Sequence, residues 1–460
     1  MYSCRLESAY DLSAIADALP GSYPYLLDSA TSGPLGQCSL LLRANGEQLS
    51  LATNGDLDGI NDGAGFLSSL ESWYQKQKRS AYQHAEWPFI GGWFLYLGYE
   101  LAAEIEPIVP FPSASDGFPV AFASRCDGVV YSRPSEPGVL HLVAESSQLL
   151  QCMQDELSEI TITPATNRGR LVQLQPDDPL IFKNAVSRIH DYILDGDVFQ
   201  VNLSRGWEGA FEGPVNVREL YQALRQNNPA PFAGLVRWQD YVLMSSSPER
   251  LVEVRDGVVQ SRPIAGTRPR GADVQSDQQL SRELLAHPKE RAEHVMLIDL
   301  ERNDLGRVCE AGSVDVNELM VVETYEHVHH IVSNVRGQLR NDVSPVDVIR
   351  AVFPGGTITG CPKVRCMEII AELERHGRSF YTGSMGYLGL DGSMDLNILI
   401  RSMLVHDRHI SFRTGAGIVA DSIADNEVTE TEDKARGLLN ALGAPDSKEI
   451  LRTASCLNVL

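Results

Sequence analysis

The chain has 460 residues, 43% of them hydrophobic, so it can bury a large core as one big domain or two ordinary ones. Its 39 basic and 61 acidic residues give a formal net charge of −22, which argues against nucleic acid or an anionic membrane as a partner. An anionic small molecule remains compatible with this charge only where a metal ion or local arginine and lysine side chains supply positive charge.

The sequence shows no signal-peptide pattern in its N-terminal residues, and its apolar runs are too short for a membrane span. The cysteines are scattered, without a CxxC pair or a spacing suited to zinc, at positions 4, 38, 126, 152, 309, 361, 366 and 456. We therefore expect a cytoplasmic protein with reduced thiols.

Residues 1–165 have the pattern of many short strands with few helices. Within them, Asn45-Gly46 is a turn signal, and the flanking strand-like segments at 38–43 and 48–52 predict a hairpin.

Two further elements and a boundary follow. Residues 91–100 (GGWFLYLGYE) predict an aromatic strand buried on both faces, and 146–159 have helical spacing. The polar stretch at 163–178 predicts a domain boundary, with an N-terminal region at 1–165 and a catalytic region at 180–443.

The second region alternates amphipathic helices with strands. Helical spacing occurs at 180–196, 217–226, 283–302, 347–351 and 364–375. Pro288 predicts an interruption near the start of the third of these helices. Strands in runs with intervening helices, rather than strict βαβ alternation, predict an α+β fold with large, mainly antiparallel sheets.

The C-terminal part of this region combines a glycine-broken strand with a helix. Gly415 and Gly417 allow a ligand to approach the backbone of the strand closely. The helix that follows is predicted to begin at a cap, Asp425 or Asn426, and to end at Gly443.

Carboxylates project from two of the predicted helices. Glu427, Glu430 and Lys434 share one stripe of the last helix, and Glu290 and Glu293 are neighbours on the helix at 283–302. The two helices could meet across a pocket and hold a hard divalent cation through oxygen ligands. Alternatively, both are solvated surface faces with no shared role.

Glu249 lies at the end of a predicted strand in SSSPER, where its carboxylate is well placed for proton transfer. The sequence is equally compatible with Glu249 being a turn residue that pairs with Arg250. The loop 263–271 (PIAGTRPRG) carries two arginines and Thr267 and suits anion binding, although such loops are more often simple turns. His329 and His330 alternate faces of a strand, so one of them is expected to face a pocket, although a satisfied structural histidine is the more common case.

The segment 354–363 (PGGTITGCPK) has the glycine spacing of a P-loop. Cys361 and Pro362 stand where lysine and serine or threonine are required, so we exclude nucleotide binding there.

Six motifs occur in register between 180 and 443: PIAGTRPRG, KERAEHVMLIDLERND, GGTITGCPKVR, IRSM, TGAGIVADS and ExxExxxK. In this order they closely resemble the chorismate-utilising enzymes. Residues 1–165 resemble the N-terminal region of the large components of anthranilate synthase and aminodeoxychorismate synthase. The resemblance implies two large, facing, mainly antiparallel sheets with helices outside, and both halves of the chain contributing to one body.

The resemblance implies Mg2+ as cofactor, with Glu293 and Glu430 as metal ligands and Glu290 and Glu427 as nearby partners. Magnesium would fix one carboxylate of chorismate and pre-align its ring. A metal ion also allows an acidic protein to bind a dianion.

Catalytic and substrate-binding roles follow from the same resemblance. Glu249 matches the general acid that helps the C4 hydroxyl of chorismate to leave, and His330 falls on the active-site histidine of the family. Contacts to the substrate carboxylates are implied at Arg401, Lys434, Thr357, Thr359, Gly360, Gly415 and Gly417.

The glutamine Gln200 indicates which of the reactions of this family to expect. Isochorismate and salicylate synthases resemble this chain but carry a lysine at this position, a base that activates water. Glutamine cannot deprotonate water near neutral pH, whereas neutral ammonia is already a nucleophile. We therefore expect amination, with ammonia supplied by a glutaminase subunit, since no glutaminase domain is fused here.

VNLSR, NPAPF and GGTITG resemble aminodeoxychorismate synthases, so we expect amination at C4, for 4-aminobenzoate and folate synthesis. Ala265 departs from this pattern, because many aminodeoxychorismate synthases have PIKGT, whose lysine attacks C2, and anthranilate synthases have alanine there. The alternative is anthranilate synthase, which aminates C2 and eliminates pyruvate. Thr267 of the same loop is a further catalytic candidate.

YPYLLDS resembles the tryptophan-pocket segment of both enzymes. The residues implied are Leu27, Asp28, Ser29, Asn228, Pro229, Ala230, Pro231 and Phe232. Bound tryptophan could be structural or could mediate feedback inhibition.

A non-catalytic chorismate-binding subunit is the remaining alternative. It predicts loss of Glu249, Glu293 or Glu430, and the sequence retains all three.

Overall fold

A computed structural model describes residues 1–31, 38–79, 87–162, 167–271, 273–324 and 328–444 of the chain. At residues 267, 269, 289 and 328 it describes the backbone alone. Among the described residues, no helix is long and apolar enough to cross a bilayer. The predicted boundary near residue 165 lies outside the described residues, so the division into 1–165 and 180–443 stays a prediction.

The described part contains ten α-helices and one 3-10 helix at Tyr99–Glu104. The α-helices are α1 Leu12–Ala18, α2 Phe66–Gln77, α3 Ser147–Ser158, α4 Pro179–Leu194, α5 Val217–Asn227, α6 Val274–Ala286, α7 Pro288–Gly306, α8 Pro345–Val352, α9 Lys363–Glu374 and α10 Ala424–Leu442.

The strands are β1 Tyr2–Glu7, β2 Tyr25–Asp28, β3 Ser39–Leu51, β4 Leu57–Gly59, β5 Gly92–Leu97, β6 Ala121–Ser132, β7 Val139–Ala144, β8 Leu171–Pro176, β9 Gln200–Phe211, β10 Phe232–Trp238, β11 Tyr241–Ser247, β12 Arg250–Arg255, β13 Val258–Ser261, β14 Ile264–Pro269, β15 Asp315–Thr324, β16 Val328–Gln338, β17 Gly360–Cys361, β18 Ser384–Gly389, β19 Met394–Asn397, β20 Ser402–His406 and β21 His409–Ile418.

The strand pairings among described residues are all antiparallel. They connect in the order β8–β9–β21–β20–β11–β10–β2–β3–β6–β5–β18–β19–β12–β13–β16–β15, so the fold is α+β with a large antiparallel sheet, as predicted. Strands near the N-terminus pair with strands far along the chain, as β2 does with β10 and β5 with β18.

The sheet folds back so that its two halves face each other. Tyr25 of β2 stacks on Phe94 of β5 with ring centroids 4.1 Å apart. In the sheet, β2 and β5 are separated by β3 and β6. In a flat sheet with about 4.8 Å between neighbouring strands they would lie roughly 14 Å apart, so the short ring distance requires the sheet to curve. Phe122 of β6 and Trp238 of β10 stack likewise at 4.0 Å, so an aromatic interior fills the space between the two halves.

Most predicted helices are confirmed. The predictions at 180–196, 217–226, 347–351 and 364–375 correspond to α4, α5, α8 and α9. The prediction at 283–302 covers the end of α6 and most of α7, which break at Pro288 as expected. His287 closes one helix and opens the other, because its extended backbone ends α6 and its side chain accepts the Glu290 N–H.

Three local predictions are wrong. The hairpin at 38–52 is absent, since both halves belong to β3 and pair with β6, and the residues around Asn45 and Gly46 form a bulge. The strand predicted at 91–100 ends at Leu97 and gives way to the 3-10 helix. Helix α10 begins at Ala424 rather than after a cap at Asp425 or Asn426, although it does end at Gly443.

Candidate active site

A cavity of about 1160 Å³ opens between the paired strands β9 and β21 and the helices α7 and α10. Most of the residues predicted to be functional line it. They are Gln200, Glu249, Ala265, Glu290, Glu293, His330, Thr357, Arg401, Gly415, Gly417, Glu427, Glu430 and Lys434. The structure therefore brings together side chains that are up to 234 positions apart in the sequence, from Gln200 to Lys434.

Three predicted residues stand apart from this set. Thr359 is fully buried behind the wall, where its hydroxyl donates to the carbonyl of Gly355 at 2.9 Å. Gly360, also buried, lies against β9 with a φ of +130°, and a Cβ there would come within 2.1 Å of the Gln200 carbonyl oxygen. The side chain of Thr267 lies outside the described residues.

The two glycines of β21 keep the floor of the cavity open. A Cβ at Gly417 would lie 2.2 Å from Gln200 Nε2, and one at Gly415 would lie 2.7 Å from the hydroxyl oxygen of Tyr381. Because real Cβ contacts are not this short, larger residues here would push Gln200 and Tyr381 out of place.

Gln200, the first residue of β9, connects this strand to α7. Its Nε2 donates to Glu293 Oε1 at 3.0 Å, while its buried Oε1 has no hydrogen-bond partner among the described residues. A buried carbonyl oxygen without a donor is unfavourable by about 1–3 kcal/mol, which is typical of a site shaped for a ligand.

The four predicted metal-binding carboxylates lie on α7 and α10 around the cavity. Glu290 pairs with Arg268 at 3.2 Å and Glu430 with Lys434 at 2.8 Å. Among the described residues, no three carboxylate, histidine or cysteine side chains are grouped closely enough to bind a metal ion by themselves. The donor chemistry still fits magnesium, which typically takes one or two protein carboxylates and completes its shell with water and substrate oxygens.

Glu249 lies between β11 and β12, and two hydrogen bonds hold its backbone. Its N–H donates to the Ser247 hydroxyl at 3.2 Å, and its carbonyl accepts the Ile398 N–H at 3.0 Å. Burial raises the pKa of the Glu249 carboxyl to about 7, although the nearby Thr357 hydroxyl acts to lower it. A substantial fraction of this side chain therefore carries a proton near neutral pH and can act as a general acid.

Two cationic side chains face the same space. Arg401 is half-buried and has a φ of +51°, a left-handed backbone that is strained for a non-glycine residue and is common at functional sites. Lys434 donates to the Gly415 carbonyl at 2.9 Å as well as to Glu430, so it is held over the glycine-broken strand.

The two histidines of β16 separate as their alternation predicts. His330 lines the cavity, and burial lowers its pKa to about 4, so its imidazole is neutral at pH 7. His329 points away and bonds Asp277 Oδ1 at 2.8 Å and the Thr324 hydroxyl at 2.9 Å.

Sequence reasoning missed several cavity residues, among them Asn202, Tyr381 and Arg413. Two of them had a usable signal. Asn202 lies two positions after Gln200 on β9, and Arg413 two positions before Gly415 on β21, so each shares a sheet face with a predicted residue. Tyr381 follows no such pattern.

A second cavity of about 770 Å³ lies beside β2 and β10. Of the predicted tryptophan-pocket residues, Leu27, Asp28, Ser29, Pro231 and Phe232 line it. Pro229 and Ala230 do not, and Asn228 lines the larger cavity instead. The other walls of this 770 Å³ cavity carry charged side chains, among them Arg133, Arg250, Glu253 and Asp395.

Known proteins resemble this chain over most of its length. It is 45% identical over 359 residues to an anthranilate synthase component I-like protein of Synechocystis, covering 77% of this chain and 73% of that one. It is 39% identical over 399 residues to aminodeoxychorismate synthase component 1 of Bacillus subtilis, covering 84% of each. Among solved structures, anthranilate synthase component I from Streptococcus pneumoniae superposes with a TM-score of 0.76 at 31% identity, covering 89% of this chain and 93% of that one.

The family profile described as chorismate binding enzyme matches residues 32–440, and this span contains every predicted metal, catalytic and carboxylate-binding residue. The chain belongs to the chorismate binding enzyme family.

Proposed function

We propose that this chain is the large component of an aminodeoxychorismate synthase. It would replace the C4 hydroxyl of chorismate by ammonia, releasing water and 4-amino-4-deoxychorismate. The product would feed the synthesis of 4-aminobenzoate and folate.

The observation that carries amination is the position of Gln200. Its amide lies in the cavity wall and donates to Glu293, and a glutamine has no basic atom that could deprotonate water near neutral pH. Ammonia needs no such base. Its N–H groups would match the buried Gln200 Oε1, an acceptor without a partner among the described residues.

The other residues of the cavity supply binding and proton transfer. Glu249 would donate the proton that lets the C4 hydroxyl leave as water, since its pKa of about 7 keeps much of it protonated. Arg401 and Lys434 would bind the substrate carboxylates. Magnesium held by Glu293 and Glu430 would supply Lewis-acid charge for one carboxylate when bound.

The choice of C4 is supported by the motifs VNLSR, NPAPF and GGTITG and by the relative from Bacillus subtilis, named an aminodeoxychorismate synthase. Because Ala265 stands in the position of the attacking lysine, no covalent lysine adduct could form here. Ammonia or water would add at C2 instead as the C4 hydroxyl leaves as water, and a second ammonia would then add at C4 and expel the group at C2.

Anthranilate synthase component I is the second candidate. Ala265, buried in the cavity wall, is the alanine seen in anthranilate synthases, and other relatives carry that name. In that reaction the amine stays at C2 and pyruvate is eliminated.

Two partners belong to the proposal. A separate glutaminase subunit would supply ammonia. Tryptophan would occupy the 770 Å³ cavity, where Arg133, Arg250, Glu253 and Asp395 offer both signs of charge to a zwitterion.

The test is product analysis. The purified chain is incubated with chorismate, magnesium and a high concentration of ammonium at alkaline pH, with a reaction lacking magnesium as control. Mass spectrometry detects aminodeoxychorismate, which an added lyase converts to 4-aminobenzoate, and fluorescence detects anthranilate. Anthranilate as the main product would replace the first candidate by the second, and unchanged chorismate would support a non-catalytic binding subunit.

A further inference from the structure

Arg378 is a fully buried arginine that lies behind the cavity wall rather than in it. Its side chain is about 1% exposed and lies near the ring faces of Tyr99 and Tyr381, at 4.9 and 5.7 Å from their centroids. Its Nε and one Nη2 hydrogen hold both oxygens of Glu374, at 3.0 and 2.7 Å, in the bidentate geometry that only a guanidinium provides.

The remaining donors of Arg378 tie together two segments of the cavity wall. Nη2 donates to the carbonyl of Asn202 on β9 at 2.7 Å, and Nη1 donates to the carbonyl of Ile358 at 3.1 Å and to the Thr382 hydroxyl at 3.3 Å. Asn202 and Ile358 both line the cavity. A compact point charge such as lysine could not reach all these acceptors at once.

Glu374 connects Arg378 to Arg413 through hydrogen bonds to both side chains. One Glu374 oxygen accepts from Arg413 Nη2 at 3.3 Å, and the other accepts the N–H and hydroxyl of Ser204 at 2.8 and 2.9 Å. The same hydroxyl accepts from Arg413 Nε at 3.1 Å. Burial would raise the pKa of Glu374, but Arg378 and Arg413 more than offset this and keep the carboxylate ionised.

Arg413 is the end of the network that reaches the cavity. It lies on β21 two positions before Gly415, on the sheet face that carries the glycine floor, and its side chain is 15% exposed. Chorismate carries two carboxylates, and a guanidinium fixed through Nε and one Nη2 is oriented in advance to meet an anion.

We propose that Arg413 is a further substrate-binding cation of this site, and that buried Arg378 is a positioning residue that aims it through Glu374 and joins the two wall segments. The inference rests on the proposed function only in taking chorismate as the ligand. It holds for amination at C2 or at C4.

The experiment compares Arg378→Lys with Arg375→Lys. Arg375 is exposed at the end of α9, where its Nε donates to the Glu372 carbonyl, so the control makes the same substitution three positions away. Chorismate consumption is followed with magnesium and excess ammonium, and KM, kcat and the melting temperature are measured for each variant.

A positioning role predicts a KM for chorismate raised roughly tenfold or more in Arg378→Lys, because binding contacts are lost in the ground state and transition state alike. Arg375→Lys should match the wild type. A purely structural role would instead reduce the folded fraction, which lowers the apparent kcat and leaves KM unchanged, and that result would overturn the proposal.

Arg413→Met supplies a second arm if Arg378→Lys does not fold. It should raise KM roughly tenfold with little change in melting temperature, and adding Glu374→Gln to it should change KM less than twofold further, since the two residues act in series. A KM within twofold of the wild type, or full additivity, contradicts the proposal. Should the wild-type chain consume no chorismate at all, the proposed function fails first, independently of these variants.

Discussion

Gln200 and Glu293 are joined by a hydrogen bond of 3.0 Å across the gap between β9 and α7. The Gln200 amide donates to one carboxylate oxygen of Glu293, and both residues line the cavity. Gln200 is thus a neutral neighbour of the Glu293 carboxylate, whereas Glu290 and Glu430 form ion pairs with Arg268 and Lys434.

Gln200→Ala should weaken activation by magnesium. Loss of a hydrogen bond to a metal-ligating carboxylate typically lowers metal affinity by about 10–100-fold, so the midpoint of a magnesium titration of chorismate consumption should rise by that factor. Gln175→Ala, on the exposed face of β8, is the control. An unchanged midpoint would show that the bond does not orient a metal ligand.

Glu293→Ala and Glu430→Ala should each lower magnesium-dependent turnover by at least about a hundredfold, since each would remove a proposed ligand. Asp299→Ala is the matched control, because Asp299 lies on α7 but is 66% exposed and pairs with the exposed Arg302. Full activity in either glutamate variant would contradict the proposal that this residue is a magnesium ligand.

Turnover should fall above pH 7 when free ammonia is held constant. Glu249 must be protonated to act as an acid, and its pKa of about 7 means that the donor form is abundant below this pH and is lost above it, roughly tenfold per pH unit. Glu249→Gln should be slower by about 10²–10⁴-fold and should lose this decline. A wild-type profile that stays flat from pH 6 to 9 would argue against Glu249 as the acid.

Ala265→Lys should still yield the C4 amine if this chain is an aminodeoxychorismate synthase. Ala265 lines the cavity on β14, opposite Ile331, so a lysine there would occupy the place of the attacking amine. Ala265→Met controls for added bulk without the amine. If the C4 product disappears in the lysine variant but survives in the methionine variant, the placement among aminodeoxychorismate synthases is wrong.

L-tryptophan should raise the melting temperature by roughly 2–4 °C at a hundred times its dissociation constant, since ligand at that level stabilises the folded state by about 2.7 kcal/mol. Cys38→Trp adds an indole ring to the wall of the 770 Å³ cavity and should abolish the shift by obstructing the site. Cys152→Trp, exposed on α3, should leave it intact. Equal shifts in both variants would mean that tryptophan binds elsewhere.

Periodic elements were predictable and irregular ones were not. Helices α4, α5, α8 and α9 have apolar residues at helical spacing, and burial of that apolar face stabilises them. Pro288 lacks a backbone N–H, so the helix is interrupted there. The residues around Asn45 form a bulge rather than a turn, because β6 pairs with the chain on both sides of them, and that competition is tertiary.

Site residues could be predicted from the sequence where they belong to recognisable motifs. Residues whose role depends on contacts made only in the folded chain could not. Glu249, Glu293 and Lys434 lie in such motifs and line the cavity. Arg378 carries no local signal, because its role depends on carbonyl groups of Asn202 and Ile358 that only the folded chain brings within reach.

The pairing of β9 with β21 joins residues 201–210 to residues 409–418. During synthesis the ribosome must therefore add about two hundred residues after β9 before its partner exists, and β5 waits still longer for β18. Until then these apolar strands have open edges, which is the condition under which nascent chains aggregate and recruit chaperones. Distant pairings also slow folding, because the loop must close before any contact compensates its lost entropy. Because the cavity is lined by residues from Gln200 to Gly437, its completion is thus one of the last events in the synthesis and folding of the chain.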